Sequence, residues 1–144
     1  EFASFAWQGE PPDPQDQTTF EQSRIDWEKQ NSGKHTKLLQ LYTELLKLRA
    51  KLPMLGFAES LHAIVCQNAD TLLIHRKRKA EETLSLLCFK ENDSPKITLP
   101  PGSWNKVLDT AEQKWLGPGS FIPDKPENKT KIKINPLSYT LFKN

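Results

Sequence analysis

Two carboxylates in a proline-rich loop are the side chains of this sequence best placed to do chemistry. The loop spans residues 11–16, and its prolines fix φ and remove backbone donors, so it belongs to no helix or central strand. Asp13 and Asp16 could lie at the roughly 5–10 Å separation that a glycosidase carboxylate pair needs. No further acidic residue or strand end positions them. Contact with a substrate and Asx turns that stabilise the loop are therefore the alternatives.

Large aromatic residues flank this loop in the sequence. They are Phe5, Trp7, Phe20 and Trp27, and each needs an apolar surface to pack on. A rigid loop that combines carboxylates with aromatic neighbours is suited to the rim of a binding site. The sequence offers no second wall for such a site, so the loop alone predicts binding rather than catalysis.

The other residue types used in catalysis form no recognisable pattern. The histidines are His35 at a helix start and His62 and His75 in expected strands, and no serine or cysteine has the Gly-x-Ser-x-Gly context of a nucleophile. Neither a nucleophilic triad nor a metal or cofactor site is predicted. Cys66 and Cys88 lie in separate apolar runs and are expected to be buried, reduced thiols, although a bridge between adjacent strands is geometrically possible.

Composition and charge exclude several classes of protein. The 144 residues are 36% hydrophobic and 26% charged with a net charge of +2, which fits one domain, or one domain with an attachment, and predicts no nucleic-acid partner. The basic run at 75–79 precedes two glutamates, so it is interpreted as a solvated strand end. No apolar run approaches the roughly 20 residues of a membrane span and no signal peptide is seen, so a cytoplasmic protein without membrane contact is expected. Because the sequence begins with Glu1, a fragment or processed product is expected.

A long helix from about Lys34 to Leu52 is the strongest structural prediction. Its apolar residues cover roughly half of the circumference, which exceeds the ~100° stripe of a helix lying on one surface. They are Leu38, Leu39, Leu41, Tyr42, Leu45, Leu46, Leu48 and Leu52. The extra width predicts contacts with two bodies. Arg49, near the centre of this face, must reach water or a carboxylate. A shorter helix with a capping box at Thr18–Glu21 is expected upstream.

The remaining sequence is typical of antiparallel β structure. Short β-branched or alternating runs recur about every 8–12 residues with turn residues between them. The predicted strands are Leu61–Cys66, Thr71–Arg78, Thr83–Phe89, Lys96–Leu99, Trp104–Leu108, Lys131–Ile134 and Ser138–Phe142. The expected fold class is therefore α+β, with an N-terminal helical part followed by an antiparallel β-sandwich.

Several of these runs resemble a known family. Pro12 to Asp16, then Thr19-Phe20 and Ser23 to Trp27, resemble the late barrel region of malto-oligosyltrehalose trehalohydrolases, which are retaining glycoside hydrolases of the α-amylase superfamily. Residues 38–53 resemble the last barrel helix of that superfamily. The strand-rich remainder, down to residues 135–139, resembles its C-terminal antiparallel domain.

The resemblance implies a division at residue 55. Residues 1–55 would be a remnant of a (β/α)8 barrel and residues 56–144 an α-amylase-type C-terminal domain that stabilises it. The complete enzyme would release trehalose from maltooligosyltrehalose, an α-glucan. The superfamily's catalytic carboxylates lie on earlier barrel strands, so the resemblance implies that this chain carries no catalytic residue and does not hydrolyse the substrate by itself.

The same resemblance places the proline-rich loop at the active-site face of the barrel. It thereby identifies four candidate substrate-binding residues, Trp7, Asp13, Gln15 and Asp16. Two other classes stay open. A stand-alone carbohydrate-binding module would need an exposed aromatic platform, such as Trp104 with Trp115, and a protein-interaction domain would keep an apolar sandwich face open. Without a barrel the long helix would expose leucines, so the chain is expected to form a homodimer or to fold segment 1–31 onto its β domain.

Overall fold

Two antiparallel sheets and one long helix make up most of the structure. The computed structural model describes residues 12–52, 55, 61–65, 70–127 and 131–144, with the backbone alone described for residues 61–65 and 78. Within these ranges, no helix is both long enough and apolar enough to cross a membrane.

Within the described residues, seven strands form where β-branched or alternating residues recur. They are β1 (Leu61–Val65), β2 (Thr71–Arg78), β3 (Glu81–Cys88), β4 (Lys96–Thr98), β5 (Asn105–Asp109), β6 (Lys131–Lys133) and β7 (Ser138–Lys143). Each of the seven predicted strands is confirmed. The largest difference is at the start of β3, which was predicted at Thr83 and begins at Glu81.

The strands form a larger and a smaller sheet. The five-stranded sheet has the order β1-β2-β3-β7-β5, and the two-stranded sheet pairs β4 with β6. Every described pairing is antiparallel. The alternating, turn-rich pattern thus predicted the antiparallel class correctly. A bulge between Lys106 and Leu108 shifts the register of β5 on β7.

The two sheets share one hydrophobic core. Successive side chains of a strand point to opposite faces, so Leu84 and Leu86 of β3 point to the same side, as does Phe142 of β7. One cluster of buried residues joins them to the small sheet: Leu73, Leu84, Leu86, Cys88, Ile97, Leu99, Trp104, Ile122, Ile132, Ile134 and Phe142. The small sheet therefore covers one face of the large sheet.

The long helix α2 (Gly33–Lys51) covers the opposite face. Leu48 and the C-cap residue Leu52 are buried against Leu108 and Leu141, with Leu41 and Leu45 packed partly against the same cluster. We call these four leucines of the helical segment the inner stripe: Leu41, Leu45, Leu48 and Leu52. The predicted helix is confirmed, and Arg49 is exposed, as expected for a charge that must reach water.

The other half of the wide apolar face of α2 remains exposed. Leu38, Leu39, Tyr42 and Leu46, which we call the outer stripe, keep 49–64% of their accessible surface. At about 100° per residue these positions fall within an arc of roughly 100° that adjoins the inner stripe. One of the two contacts predicted for this helix is therefore formed within the described residues.

The N-terminal part forms two short helical elements, and the second of them packs against α2. They are α1 (Gln17–Ser23) and a 3₁₀ turn at Trp27–Asn31, and the 3₁₀ turn contacts α2. The predicted capping box is wrong. Asp16, not Thr18, caps α1, and it accepts from both the Thr18 N–H and the Thr18 hydroxyl at 2.7 Å. A carboxylate two positions earlier gives the first orphan N–H groups a charged acceptor, which Thr18 cannot offer.

Candidate functional site

Asp13 folds the proline-rich loop upon itself. Its Oδ1 accepts from the Gln15 N–H at 2.9 Å, which is an Asx turn. Its carbonyl oxygen accepts from the Asp16 N–H at 3.1 Å and from the Thr19 hydroxyl at 2.7 Å. The loop conformation is therefore fixed by local hydrogen bonds as well as by proline.

Asp16 is the N-cap of α1 and is fully exposed. The hydrogen bonds from the Thr18 side chain and backbone hold the pKa of its carboxyl below the ordinary value of 3.8. A general acid in glycoside hydrolysis needs a carboxyl whose pKa is raised so that it is protonated near neutral pH. Asp16 is shifted in the opposite direction, so the geometry favours a structural or binding role over proton donation.

The candidate binding residues are thus partly brought together. Asp13, Gln15 and Asp16 occupy one turn and are exposed, and each aspartate uses one carboxylate oxygen for the turn itself. Trp7 lies outside the described residues. Contact of these side chains with a substrate stays a prediction.

Exposed aromatic residues follow the loop in the sequence. Trp27 keeps 68% of its accessible surface and Phe20 keeps 67%. Trp27 and Tyr42 line a groove of about 450 Å³ together with Ile25, Leu38 and other residues of the 3₁₀ turn and α2. The outer stripe therefore continues into the N-terminal segment as one apolar surface. Phe5 lies outside the described residues.

His75 belongs to a hydrogen-bonded cluster with Glu82 and Lys77 rather than to a catalytic arrangement. Its Nε2 lies 2.9 Å from Glu82 Oε2, and the Lys77 ammonium lies 2.6 Å from Glu82 Oε1. The hydrogen bond from Lys77 lowers the pKa of the Glu82 carboxyl below its usual 4.5. The basic run is therefore a solvated and partly neutralised strand end, as predicted. The side chain of His62 lies outside the described part, and His35 sits on the first turns of α2.

Trp104 cannot form an exposed sugar-binding platform. It keeps only 3% of its accessible surface, donates its indole N–H to the Pro100 carbonyl at 2.8 Å and packs edge to face with His75 at 5.8 Å between ring centroids. The platform proposed from Trp104 and Trp115 is therefore wrong. Trp104 directly precedes β5, and its indole can be buried in the core because its N–H finds a backbone acceptor at Pro100.

Trp115 marks a groove that the sequence did not predict. It lies in a 3₁₀ turn at Gln113–Trp115 and packs against α2. The groove, of about 660 Å³, runs between this turn and α2 and continues past Trp115 into a second one of about 380 Å³. Trp115 lies in a turn, so no repeating pattern of apolar residues marks it in the sequence. Its position against α2 depends on contacts that are distant in sequence.

Buried polar groups hold the Trp115 turn in place. Asp109 is fully buried and accepts from the Ala111 N–H at 2.8 Å and the Ser120 hydroxyl at 2.5 Å. Lys106 donates to the Ile122 carbonyl at 2.8 Å and pairs with Glu112 and Asp124. Since buried polar groups are costly unless paired, this network fixes one conformation of the loop after β5.

Metal binding and thiol chemistry find little support in the part of the chain that the structure describes. It contains no group of three or more His, Cys, Asp or Glu side chains suited to a metal ion. Cys88 is a buried free thiol, as predicted. Cys66 lies outside the described residues.

Comparison with curated protein sequences gives matches over part of the chain, and those described here are to malto-oligosyltrehalose trehalohydrolases. No protein-family model matches the chain. A malto-oligosyltrehalose trehalohydrolase from Rhizobium sp. is 42% identical over 64 residues, which are 42% of this chain and 11% of that enzyme. The trehalohydrolase of Deinococcus radiodurans is 33% identical over 88 residues, which are 60% of this chain and 15% of that enzyme. The chain thus spans only a small part of the relatives that it matches.

Two solved structures are similar to this chain in fold. An isomaltulose synthase from Erwinia rhapontici superimposes with a TM-score of 0.54 at 20% identity, over 71% of this chain and 17% of that one. Trehalulose synthase MutB gives 0.54 at 21%, over 72% and 17%. Identities this low show the fold alone. In sequence, over the segments that match, this chain is similar to malto-oligosyltrehalose trehalohydrolases, and its fold is one found in an isomaltulose synthase and a trehalulose synthase.

Proposed function

We propose that this chain is the C-terminal part of a cytoplasmic trehalose-releasing glycoside hydrolase. The complete enzyme would cleave the α-1,4 bond next to the terminal trehalose unit of maltooligosyltrehalose. The observation that carries the proposal is the 42% identity over 64 residues to a trehalohydrolase of which the chain spans 11%. The catalytic carboxylates would then lie outside these 144 residues.

In this proposal α2 is the last helix of the barrel, and residues 1–55 belong with it. Its inner stripe packs on the large sheet, whereas its outer stripe keeps 49–64% of its accessible surface. Full burial of a leucine is worth about 1.5–3 kcal/mol relative to exposure. Three exposed leucines and a tyrosine in one stripe therefore favour a second apolar body, which we assign to the rest of the barrel.

The β domain, residues 56–144, would act as the buttress of that helix. The large sheet presents Leu108 and Leu141 to Leu48 and Leu52, and the small sheet closes its other face. This arrangement gives α2 one fixed support, so the surface that faces the barrel is held in one orientation.

The proline-rich loop would contribute to the substrate rim. Asp13 and Asp16 each keep one carboxylate oxygen that no described contact uses, and the Gln15 side chain is exposed. These groups can accept or donate hydrogen bonds to sugar hydroxyls. Trp7, which adjoins the loop in sequence, would stack on a glucose ring. The rigidity of the loop reduces the entropy lost on binding.

A chimeric enzyme tests the proposal. The segment of the Deinococcus radiodurans trehalohydrolase that matches this chain is replaced by the corresponding residues of this chain, and release of trehalose from maltooligosyltrehalose is measured. We expect a folded chimera with activity. Alanine at Asp13 and at Asp16 should raise KM or lower kcat, whereas alanine at the exposed residue Glu91 should do neither.

Two outcomes would contradict the proposal. A folded chimera that binds maltooligosyltrehalose but releases no trehalose would exclude the assigned reaction. Unchanged KM and kcat in the Asp13 and Asp16 variants would exclude the rim assignment. The assignment of the outer stripe to the barrel predicts that Leu46→Ser lowers the chimera's thermal stability. Leu137→Ser, at a similarly exposed leucine in the turn before β7, should leave that stability unchanged.

A further inference from the structure

A pocket of about 330 Å³, which we call the arginine pocket, lies between the second half of α2 and the large sheet. Among the described residues its lining consists of six leucine or isoleucine side chains, a serine, a tyrosine and two arginines, Arg49 and Arg76. No acidic residue belongs to this lining, so the two guanidinium groups give it a charge of +2. The volume is at the lower end of the ~300–1,000 Å³ that ligand pockets enclose. The pocket therefore has room for one small ligand.

Ser85 lies in the middle of the pocket floor. It pairs with Ile74 on one side and with Leu141 on the other, so these three side chains share one face of the large sheet. Arg76 and Tyr139 lie two positions along the neighbouring strands and reach the same face. The Ser85 hydroxyl oxygen lies 3.5 Å from Arg76 Nη1 and 3.3 Å from the Tyr139 hydroxyl oxygen. Arg76, Ser85 and Tyr139 thus form one polar cluster on an otherwise apolar floor.

Arg76 is a half-buried cation without a carboxylate partner. Its hydrogen bond to Ser85 is long and goes to a neutral oxygen, and no ion pair of Arg76 occurs in the part of the chain that the structure describes. The next residue, Lys77, points to the opposite face and pairs with Glu82 at 2.6 Å. A guanidinium has five N–H donors, so most of those of Arg76 are available to a ligand. A cation that is partly withdrawn from water interacts more strongly with an anion than a fully hydrated one does.

Arg49 brings a second guanidinium to the mouth of the pocket. It follows Leu45 by one turn of α2 and so lies on the same side of the helix. Leu48 is buried against the large sheet, which fixes this turn of helix in position. Arg49 itself is exposed and forms no ion pair with a described residue. Two guanidinium groups that line one small pocket can both donate to the oxygens of a single carboxylate.

The remaining groups of the lining indicate which anion fits. Burial raises the pKa of the Tyr139 phenol above its ordinary value of 10.0, so this hydroxyl is protonated at neutral pH and can donate a hydrogen bond. Leu45, Ile74 and Leu87 offer apolar contacts. A doubly charged phosphate would lose more hydration energy against such walls than a singly charged carboxylate. An apolar body attached to the carboxylate would gain from the same walls.

We propose that the arginine pocket binds a small organic carboxylate. The carboxylate accepts from Arg76 and Arg49, and the apolar body of the ligand lies on Leu45, Ile74 and Leu87. The pocket is formed by this chain alone, so the site does not rest on the proposed function. Because such a ligand contacts both α2 and the large sheet, its binding also stabilises their packing.

Titration of the ¹⁵N-labelled 144-residue chain with hexanoate at pH 7 tests this site. The side-chain Nε–H resonances of Arg49 and Arg76, each assigned by its loss in the glutamine variant, should shift as the pocket fills. Arg76→Gln should weaken binding at least tenfold, because a hydrogen bond between charged groups is lost. Arg49→Gln, at an exposed helix position where glutamine is well tolerated, should weaken binding roughly threefold to tenfold. Saturating hexanoate should also raise the thermal unfolding midpoint of the wild-type chain.

Matched ligands and one matched variant isolate the two parts of the site. Hexan-1-ol has a tail of the same length without the charge, and acetate has the charge without the tail. Each should therefore bind at least tenfold more weakly than hexanoate, as should inorganic phosphate. Lys51→Gln removes the same charge two positions after Arg49, at an exposed residue outside the pocket lining, and should leave the affinity for hexanoate unchanged.

Each opposite result overturns a stated part of the proposal. Unshifted arginine resonances, or an affinity unchanged in both arginine variants, would overturn the site. Hexan-1-ol that binds as tightly as hexanoate would overturn the role of the guanidinium groups, and acetate or phosphate that binds as tightly would overturn the apolar part. A loss in Lys51→Gln as large as that in Arg76→Gln would also overturn the site, because net charge alone would then attract the ligand. Trehalose release by the chimera is scored separately, so either proposal can fail alone.

Discussion

Replacing Gly117 by alanine should destabilise the chain more than the same replacement at any other described glycine. An added Cβ would collide with the backbone carbonyl of Ala111 and lie 2.7 Å from the Ala111 Cα. Contacts below 3.0 Å with backbone atoms force the chain to move, because no side-chain rotation can relieve them. The loop that carries Trp115 would therefore have to open.

The expected loss follows from the contacts at this loop. Overpacking costs about 1–3 kcal/mol. Opening the loop also stretches the hydrogen bonds from Gly117 N–H to the Glu112 carbonyl at 3.2 Å and from Gly119 N–H to the Ala111 carbonyl at 2.8 Å. Each such bond contributes about 0.5–1.5 kcal/mol. The sum gives a loss of about 4 kcal/mol in the free energy of unfolding.

Urea denaturation followed by circular dichroism measures this loss. Gly33→Ala is the matched control, because Gly33 has φ of +55° and no atom within 4 Å of the added Cβ. Its cost should be that of the left-handed conformation alone, about 1–2 kcal/mol. A Gly117→Ala loss below 1 kcal/mol, or one no larger than that of Gly33→Ala, would refute the steric argument.

Three further predictions follow from the described contacts. The isolated chain should be a dimer at sedimentation equilibrium and Leu46→Glu a monomer, because the outer stripe is then charged; a wild-type monomer would contradict this. Glu82→Gln should lower the free energy of unfolding at pH 7 by about 0.5–1 kcal/mol. The difference should shrink as pH falls below 4.5 and disappear only below the folded-state pKa of Glu82, which the hydrogen bond from Lys77 holds under that value; a difference independent of pH would sink the assignment. In a Cys66→Ser background, Cys88 should react with a thiol reagent only after unfolding, because it keeps 3% of its accessible surface, and rapid reaction in the native state would be inconsistent with that.

The strands were predictable because each presents a repeating pattern to a buried layer. In β3, residues 83–86 are all buried, since α2 covers one face and the small sheet the other. The helix was predictable for the same reason. The excess width of its apolar face predicted contacts with two bodies, of which the large sheet is one and the second stays a prediction. These signals are local and periodic, so a single sequence contains them.

The candidate sites were less predictable for two reasons. Neighbouring residues compete for the same structural role, and some side chains are placed by contacts that are distant in sequence. Asp16 and Thr18 are both good caps, and only the geometry decides that the carboxylate is used. Trp104 and Trp115 look alike in sequence. One donates to Pro100 inside the core, and the other lies against α2 through a loop held by Lys106 and Asp109. No local pattern encodes such pairings.

The position of β7 has a consequence for biosynthesis. β7 comes last among the strands in sequence order, yet it lies between β3 and β5, with residues paired to both. While a ribosome is still making this segment, β3 and β5 have no neighbour on their facing edges. The nascent chain must therefore keep these edges from pairing elsewhere until Ser138–Lys143 has left the exit tunnel. Chaperone dependence during translation should accordingly be greatest for this stretch.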